Sequence, residues 1–322
     1  MSYSEKKEFT TVDFCAGIGG IRIGFENAGF KTIFSNDYEQ KCKETYDLNF
    51  SNALLTLKNI TEINEKSLPD FDLLLAGFPC QAFSVAGYRQ GFRDEKGRGN
   101  LFFDLARIIE YKNPVGFLLE NVKNLERHDA GNTFKVIKNT LSEIGYDVKY
   151  DVLNSNEYGN VPQNRERIYI VGIRKDTELI QYFHFPEKID LTTTMLDILE
   201  SPHCIDDKYY YNSKPLYEKL KDYKFEENKV YQWRRKYVRE NKSGMCPTLT
   251  ANMGKGGHNV PIVKDSKGIR KLTPRECARI QGFPDSFKLP QIADSYLYKQ
   301  LGNSVSVPVL TRIAKNIMKT LK

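Results

Sequence analysis

The 322 residues could form one large domain or two smaller ones, and 40% hydrophobic with 28% charged residues argues for a globular chain and against disorder. No apolar run approaches the roughly 20 residues that span a bilayer. The polar start MSYSEKKEFT lacks the apolar centre of a signal peptide, so a cytoplasmic protein with no membrane partner is expected. Six cysteines without a C-x-x-C pair and four histidines without zinc spacing point to free thiols and no metal. The net charge of +7 is uneven: residues 206–275 carry 17 Lys and Arg against 8 Asp and Glu, the remainder 31 against 33. A basic segment beside a near-neutral one is a common pattern in nucleic-acid binders, although a charge run can also be only a solvated face.

In chain order, TTVDFC (10–15) reads as a strand and IRIGFENAG (21–29) as a helix ending at a glycine. KTIFSND (31–37) is strand-like, residues 38–48 are helical, and FDLLLAG (71–77) is a buried strand. LFFDLARIIEYK (101–112) is a helix, VGFLLE (115–120) a strand, and a helix near 132–144 leads to strands at 146–153 and 167–174. This alternation predicts an α/β fold, a doubly wound and mostly parallel sheet, with an antiparallel edge pair where two strands follow without a helix. After about residue 185 the pattern becomes short and irregular, rich in Tyr, Lys, Asn and Gly. LTPRECARIQGF (272–283) then opens a helix with Thr273 as N-cap, Pro274 at the first position and Glu276 completing a capping box. VPVLTRIAKNIMKTLK at the C-terminus is an amphipathic helix. The expected division is a discontinuous catalytic domain (1–185 and 286–322) around a smaller irregular domain (186–285).

The first strand runs into AGIGG (16–20), a glycine-rich turn of the kind that brings backbone close to a ligand. The dinucleotide fingerprint is not met, because the sixth position from Gly17 is Arg22. Asp37, ending the second strand, is placed to accept hydrogen bonds from ribose hydroxyls, and the pair fits a nucleoside-containing cofactor of unspecified kind.

GFPCQAFS (77–84) presents Cys80 at the carboxyl end of a parallel strand, where open α/β sheets bind ligands. Glu120 ends the next strand, and QNRER (163–167) adds Arg165 and Arg167 nearby. A buried thiol, a capping glutamate and surface arginines each have an ordinary structural explanation. Together at neighbouring strand ends they favour catalysis.

DFCAGIGG, GFPCQAFS, ENV, QNRERIYIVG, RKLTPRECARIQGFPDSF (270–287) and YKQLGNSVSVPV (298–309) stand in the order and spacing of the C5-cytosine DNA methyltransferase family. The chain resembles that family along nearly all its length except 186–269, in the compact form that accompanies prokaryotic restriction systems. The resemblance implies a covalent mechanism, because cytosine C5 is a poor nucleophile until C6 is attacked. Cys80 would be that nucleophile, Glu120 would bind and protonate N3, Arg167 would hold O2, and Arg165 would stabilise the site beside it. The implied cofactor is S-adenosylmethionine, leaving as S-adenosylhomocysteine. Its site would draw on Phe14, Cys15, Ala16, Gly17, Gly19, Gly20, Asp37, Tyr38, Asn59, Ile60, Gly77 and Pro79, with Asn303 and Ser304 from the last motif. Two positions depart from the commoner pattern: Cys15 where an aromatic often packs on the adenine, and Asn59 where an aspartate often meets its amino group.

The resemblance also implies double-stranded DNA as partner, a base flipped into the pocket, and a loop at 81–100 closing over it. Gln81 and Ser84, next to Cys80, are expected to touch DNA. In the basic region, Arg234, Arg235, Lys236 and Arg239 would meet phosphates, and Lys255 lies in a loop that could reach base edges. Thr248 and Leu249 resemble the Thr-Leu signature of the family's target-recognition domain. A monomer is expected, with a restriction endonuclease as genetic partner and association with the nucleoid. Three alternatives stand beside this reading: a tRNA cytosine methyltransferase of the same family, a non-catalytic DNA-binding protein, and an NAD-dependent dehydrogenase, weakened by the missing sixth glycine.

Overall fold

The structure, a computed structural model, describes residues 8–78, 101–234, 236–254 and 260–322. The expected nucleophile Cys80, together with Pro79, Gln81, Ser84 and the whole 81–100 stretch, lies outside these residues, as do Arg235 and Lys255.

Strands β1 (Thr10–Phe14), β2 (Lys31–Asp37), β3 (Leu55–Leu57), β4 (Leu73–Gly77), β5 (Gly116–Val122), β6 (Tyr146–Asn154) and β8 (Glu166–Arg174) form one sheet, ordered β3-β2-β1-β4-β5-β8-β6. β1 is parallel to β2 and β4, β2 to β3, and β4 to β5, whereas β8 runs antiparallel to β5. The central strands are buried on both faces, and so read as continuous apolar runs such as LLLAG and GFLLE rather than alternating ones. Helices α1 (Gly20–Glu26), α2 (Gln40–Asn49), α3 (Leu101–Lys112) and α4 (Asn132–Glu143) cross over between strands. α3 buries Phe102, Leu105, Ala106, Ile108 and Ile109 in a core shared with β1, β4 and β5. The helix expected from residue 38 begins at Gln40, because Asp37 Oδ1 accepts the Glu39 N–H at 2.9 Å and makes 37–39 a turn.

The strand order reverses between β1 and β4: one winding proceeds through β2 and β3, the other through β5. That reversal is where doubly wound sheets open a crevice at the carboxyl ends of their strands. β1, β4 and β5 end there, at Phe14, Gly77 and Val122.

The chain divides into two compact units. The first comprises the sheet with residues 166–186 and 309–322, so the C-terminal helix α7 (Val307–Leu321) belongs mostly to it, with Leu310 against Gly24 of α1. The second comprises residues 154–165 and 187–308, and so takes in 154–165 and 286–308 besides the segment marked by the change of composition. Its irregular sequence forms a four-stranded sheet, β10-β9-β12-β13, from β9 (Tyr231–Trp233), β10 (Val238–Glu240), β12 (Ile262–Asp265) and β13 (Gly268–Lys271). A two-stranded parallel pair joins β7 (Gln163–Asn164) to β11 (Cys246–Pro247). Helices α5 (Pro274–Ile280) and α6 (Asp294–Asn303) complete the unit, α5 with the Thr273–Glu276 capping box in both directions. Arg270, fully buried, pairs with Glu276, also fully buried, and with Asp265. Among the described residues, no helix is long and apolar enough to cross a membrane.

Candidate active site

β1 leaves the sheet through Cys15, which adopts φ 53°, followed by Gly17 at 54° and Gly19 at 87°. The turn is held by Asp37: its Oδ2 accepts the Gly17 N–H at 2.9 Å while Oδ1 accepts that of Glu39. Burial raises the Asp37 carboxyl, and the N–H donors of Glu39, Gly17 and Tyr38 oppose that. Three N–H donors leave one of the four lone-pair sites of this carboxylate for a ligand hydroxyl. Gly19 is obligatory on two counts, its left-handed φ and its neighbours, since a Cβ there would lie 2.4 Å from the Phe50 ring. Phe14 is fully buried beside Phe34, with ring centroids 5.7 Å apart, so its side chain belongs to the core beneath the turn. Tyr38, 71% exposed, presents its ring to the outside. Asn59 caps the short helical turn Ile60–Glu62 through its own side-chain oxygen, which accepts the Thr61 N–H at 3.1 Å; Ile60 is buried.

Arg22 explains why the sixth glycine is missing. Its guanidinium is buried, donates to Glu26, to the Tyr46 hydroxyl at 3.0 Å and to Asn52 Oδ1 at 2.7 Å, and caps the Asn52 and Ala53 carbonyls. It also lies 4.1 Å from the Phe50 ring centroid. The side chain thus fixes α1 and the Phe50 ring that faces Gly19, a job no glycine could do.

Asp13, inside the first strand, is the residue that the sequence motifs did not single out. It is fully buried, no side chain hydrogen-bonds either carboxyl oxygen among the described residues, and the backbone N–H of Arg22 only partly offsets the burial. Burial pushes its pKa up to about 8, opposed by the Arg22 charge and reinforced by Asp37. A native fold rarely keeps an unpartnered buried carboxyl without a ligand to satisfy it. A cationic amine fits that position, so the acceptors present suit an amino-acid nucleoside that would place an ammonium at Asp13 and a ribose hydroxyl at Asp37. An acidic residue inside an apolar strand (TTVDF) was the available signal.

At the end of β5, Glu120 stands in register with Gly77 of β4 and Tyr169 of β8. Glu120 Oε1 lies 3.2 Å from Arg167 Nε, both side chains being nearly buried. Arg167 is opposite Val122, two residues along from Glu120, so the antiparallel pleat brings the two groups together diagonally. The Phe78 N–H donates to the Glu120 carbonyl at 3.3 Å, which carries β4 one residue past its end beside the carboxyl group. Cys80 follows two residues later. Three of the described thiols are poor rivals for its role. Burial pushes Cys15, Cys246 and Cys277 up, with Asp37 and Asp13 adding to the effect at Cys15.

The remaining expected residues lie in the second unit. Arg165 is buried and turns its guanidinium to backbone carbonyls. Thr248 Oγ1 donates to the Asn164 carbonyl at 2.6 Å, and Leu249 is fully buried. Asn303 ends α6 exposed, and Ser304 follows as its cap. Arg234 is exposed beside β9, and Arg239 bonds Gln232 across the hairpin at 2.7 Å.

An open sheet with a glycine turn at its switch point and an acid–arginine pair two strands away is the architecture of a doubly wound ligand-binding protein. A family model for C-5 cytosine-specific DNA methylases matches residues 9–319. The chain is 54% identical over 309 residues to the Type II methyltransferase M.Bsp6I of Bacillus sp. (strain RFL6), covering 95% of this chain and 97% of the relative. It is 40% identical to the Type II methyltransferase M.HhaI of Haemophilus parahaemolyticus, covering 96% and 94%. The crystal structure of the S. pombe Dnmt2 methyltransferase superposes with a TM-score of 0.72 at 20% identity, covering 98% of this chain and all of that one; that likeness concerns the fold. The chain belongs to the C-5 cytosine-specific DNA methylase family.

Proposed function

We propose that the chain methylates C5 of a cytosine flipped out of a short duplex site, with S-adenosylmethionine as methyl donor and S-adenosylhomocysteine as product. The observation that carries this is the buried Glu120–Arg167 pair beside the end of β4, the strand that delivers Cys80. Asp13 would hold the donor's ammonium, Asp37 its ribose, and the backbone of residues 16–20 its carboxylate end. Tyr38, Asn59 and Ile60 would border the adenine. Bound there, the donor supplies an electrophilic methyl group.

Cys80, as thiolate, forms a bond to C6 of the base, and the electron pair of the C5–C6 double bond moves toward N3. Glu120 delivers a proton to N3, so negative charge does not accumulate on the ring. Arg167 answers both needs: its charge holds Glu120 in place before the base arrives and then meets the base O2. Loss of that charge to O2 lets the carboxyl, shut away from water, keep a proton. Once C5 carries the methyl group, the C5 proton leaves to a base such as water, the C6–S bond breaks to return the thiolate, and N3 gives its proton back to Glu120.

The 186–285 segment would read the DNA, with Arg234 and Arg239 at phosphates and Thr248 and Leu249 at its inner edge. The 54% identity to a Type II methyltransferase along nearly the whole chain supports a protective role beside a restriction endonuclease, and the enzyme would act as a monomer on cytoplasmic, nucleoid DNA. Tritium transfer from the donor to duplex DNA, and not to tRNA, tests the substrate; label only in tRNA would overturn it.

A further inference from the structure

In the second unit, four sequence motifs meet in one buried hydrogen-bond network. Gln163, fully buried, donates through Nε2 to the Ile280 carbonyl at 3.2 Å and to Gln281 Oε1 at 3.1 Å, and accepts the Leu249 N–H at 3.1 Å. Gln281, also fully buried, donates to the Leu301 carbonyl at 2.8 Å. Arg165 completes the circuit: Nη1 donates to the Leu249 carbonyl at 2.9 Å, and Nη2 to the Gly302 carbonyl at 3.4 Å and to that of Ser304. At Gly302 a Cβ would fall 2.1 Å from the Thr250 backbone, so α6 and the 248–251 strip touch main chain to main chain.

We propose that Arg165 is a positioning residue, a clamp that holds the Thr248–Leu249 strip and the Asn303–Ser304 turn in one register. This rests on the functional reading, in which the strip faces DNA and the turn faces the cofactor. A planar fork with fixed donor directions can span three carbonyls on two chain segments; an ammonium is a point charge and cannot. Buried carbonyls left unpaired push such segments toward water. Loss of the fork therefore loosens both binding elements at once. It leaves Glu120 and Arg167, held by a different pairing, untouched.

The test is steady-state transfer of tritiated methyl to unmethylated genomic DNA by Arg165→Lys, Gly302→Ala, the double variant and Arg167→Lys. The expected result for Arg165→Lys is a joint rise in KM for DNA and for S-adenosylmethionine of about tenfold or more each, with kcat at saturation within about threefold. Gly302→Ala, which displaces the strip without removing a charge, should show the same pattern, and the double variant less than the product of the two. Arg167→Lys should lose kcat instead. A merely destabilised protein would lose active fraction, hence kcat, without raising both KM values. A fall in kcat above tenfold with either KM unchanged, or wild-type kinetics, overturns the clamp. If the wild-type protein labels no DNA, only the functional reading falls. Calorimetric binding of a DNA duplex and of the cofactor then decides the clamp, and Arg165→Lys must lose affinity for both.

Discussion

Asp13→Asn should stabilise the unliganded protein at alkaline pH and weaken cofactor binding. Asp13 is fully buried, its oxygens have no side-chain hydrogen-bond partner among the described residues, and its pKa moves from the ordinary 3.8 to about 8 despite the Arg22 charge and backbone N–H. The folded state binds this proton more tightly than the unfolded chain, so the contribution to stability is complete below pH 4. It drains away as pH rises toward 8, then levels off. At about 1.4 kcal/mol for each pKa unit, the shift corresponds to a loss on the order of 5 kcal/mol across that window. A chain of this size changes its melting temperature by roughly 2 °C per kcal/mol. Differential scanning calorimetry of the unliganded protein from pH 5 to 8.5 should therefore show wild type losing at least about 5 °C relative to Asp13→Asn. Asp104, also raised by burial, titrates in both proteins and cancels in the difference, whereas Asp37, coupled to Asp13 through its charge, belongs to the effect that is read. Titration with S-adenosylmethionine should release a proton near neutral pH in wild type only, with affinity about tenfold or more weaker in the variant. Parallel melting curves against pH, or equal cofactor affinity, would refute the assignment.

Glu120→Gln should lower kcat by about 100-fold or more, since the amide cannot deliver a proton to N3, while DNA binding survives; single-turnover methyl transfer reads this. Gly19→Ala, with its Cβ driven into the Phe50 ring, should raise KM for the cofactor more than it lowers the melting temperature. Glu276→Gln leaves the buried Arg270 charge with only Asp265, and should cost about 3 kcal/mol in urea denaturation.

Much of the first unit was legible because its signals are local. The apolar run LLLAG, the glycine turn after TTVDFC and the period of LFFDLARIIEYK each announce one element, and their alternation places Glu120 at a strand end. The capping box at Thr273 was equally plain, since it is written in four consecutive residues. The four-stranded sheet of the second unit was not legible: its strands are three or four residues long, too short to show a period of two. Arg165 and Arg167 look alike in QNRER, yet one ends among backbone carbonyls and the other beside Glu120. That division depends on partners 84 to 139 residues away for Arg165, and on strand register for Arg167. Asp13 escaped notice because its importance lies in the partners it lacks.

The central claim is that Cys80 attacks a cytosine in DNA. It is tested most directly by expressing the wild-type protein and Cys80→Ala in a host without cytosine modification and sequencing the methylated bases. Wild type should leave C5-methylcytosine at one position of one short recurring duplex site, and Cys80→Ala none. Methylation that persists in the variant, or wild-type DNA that carries no mark, would contradict it.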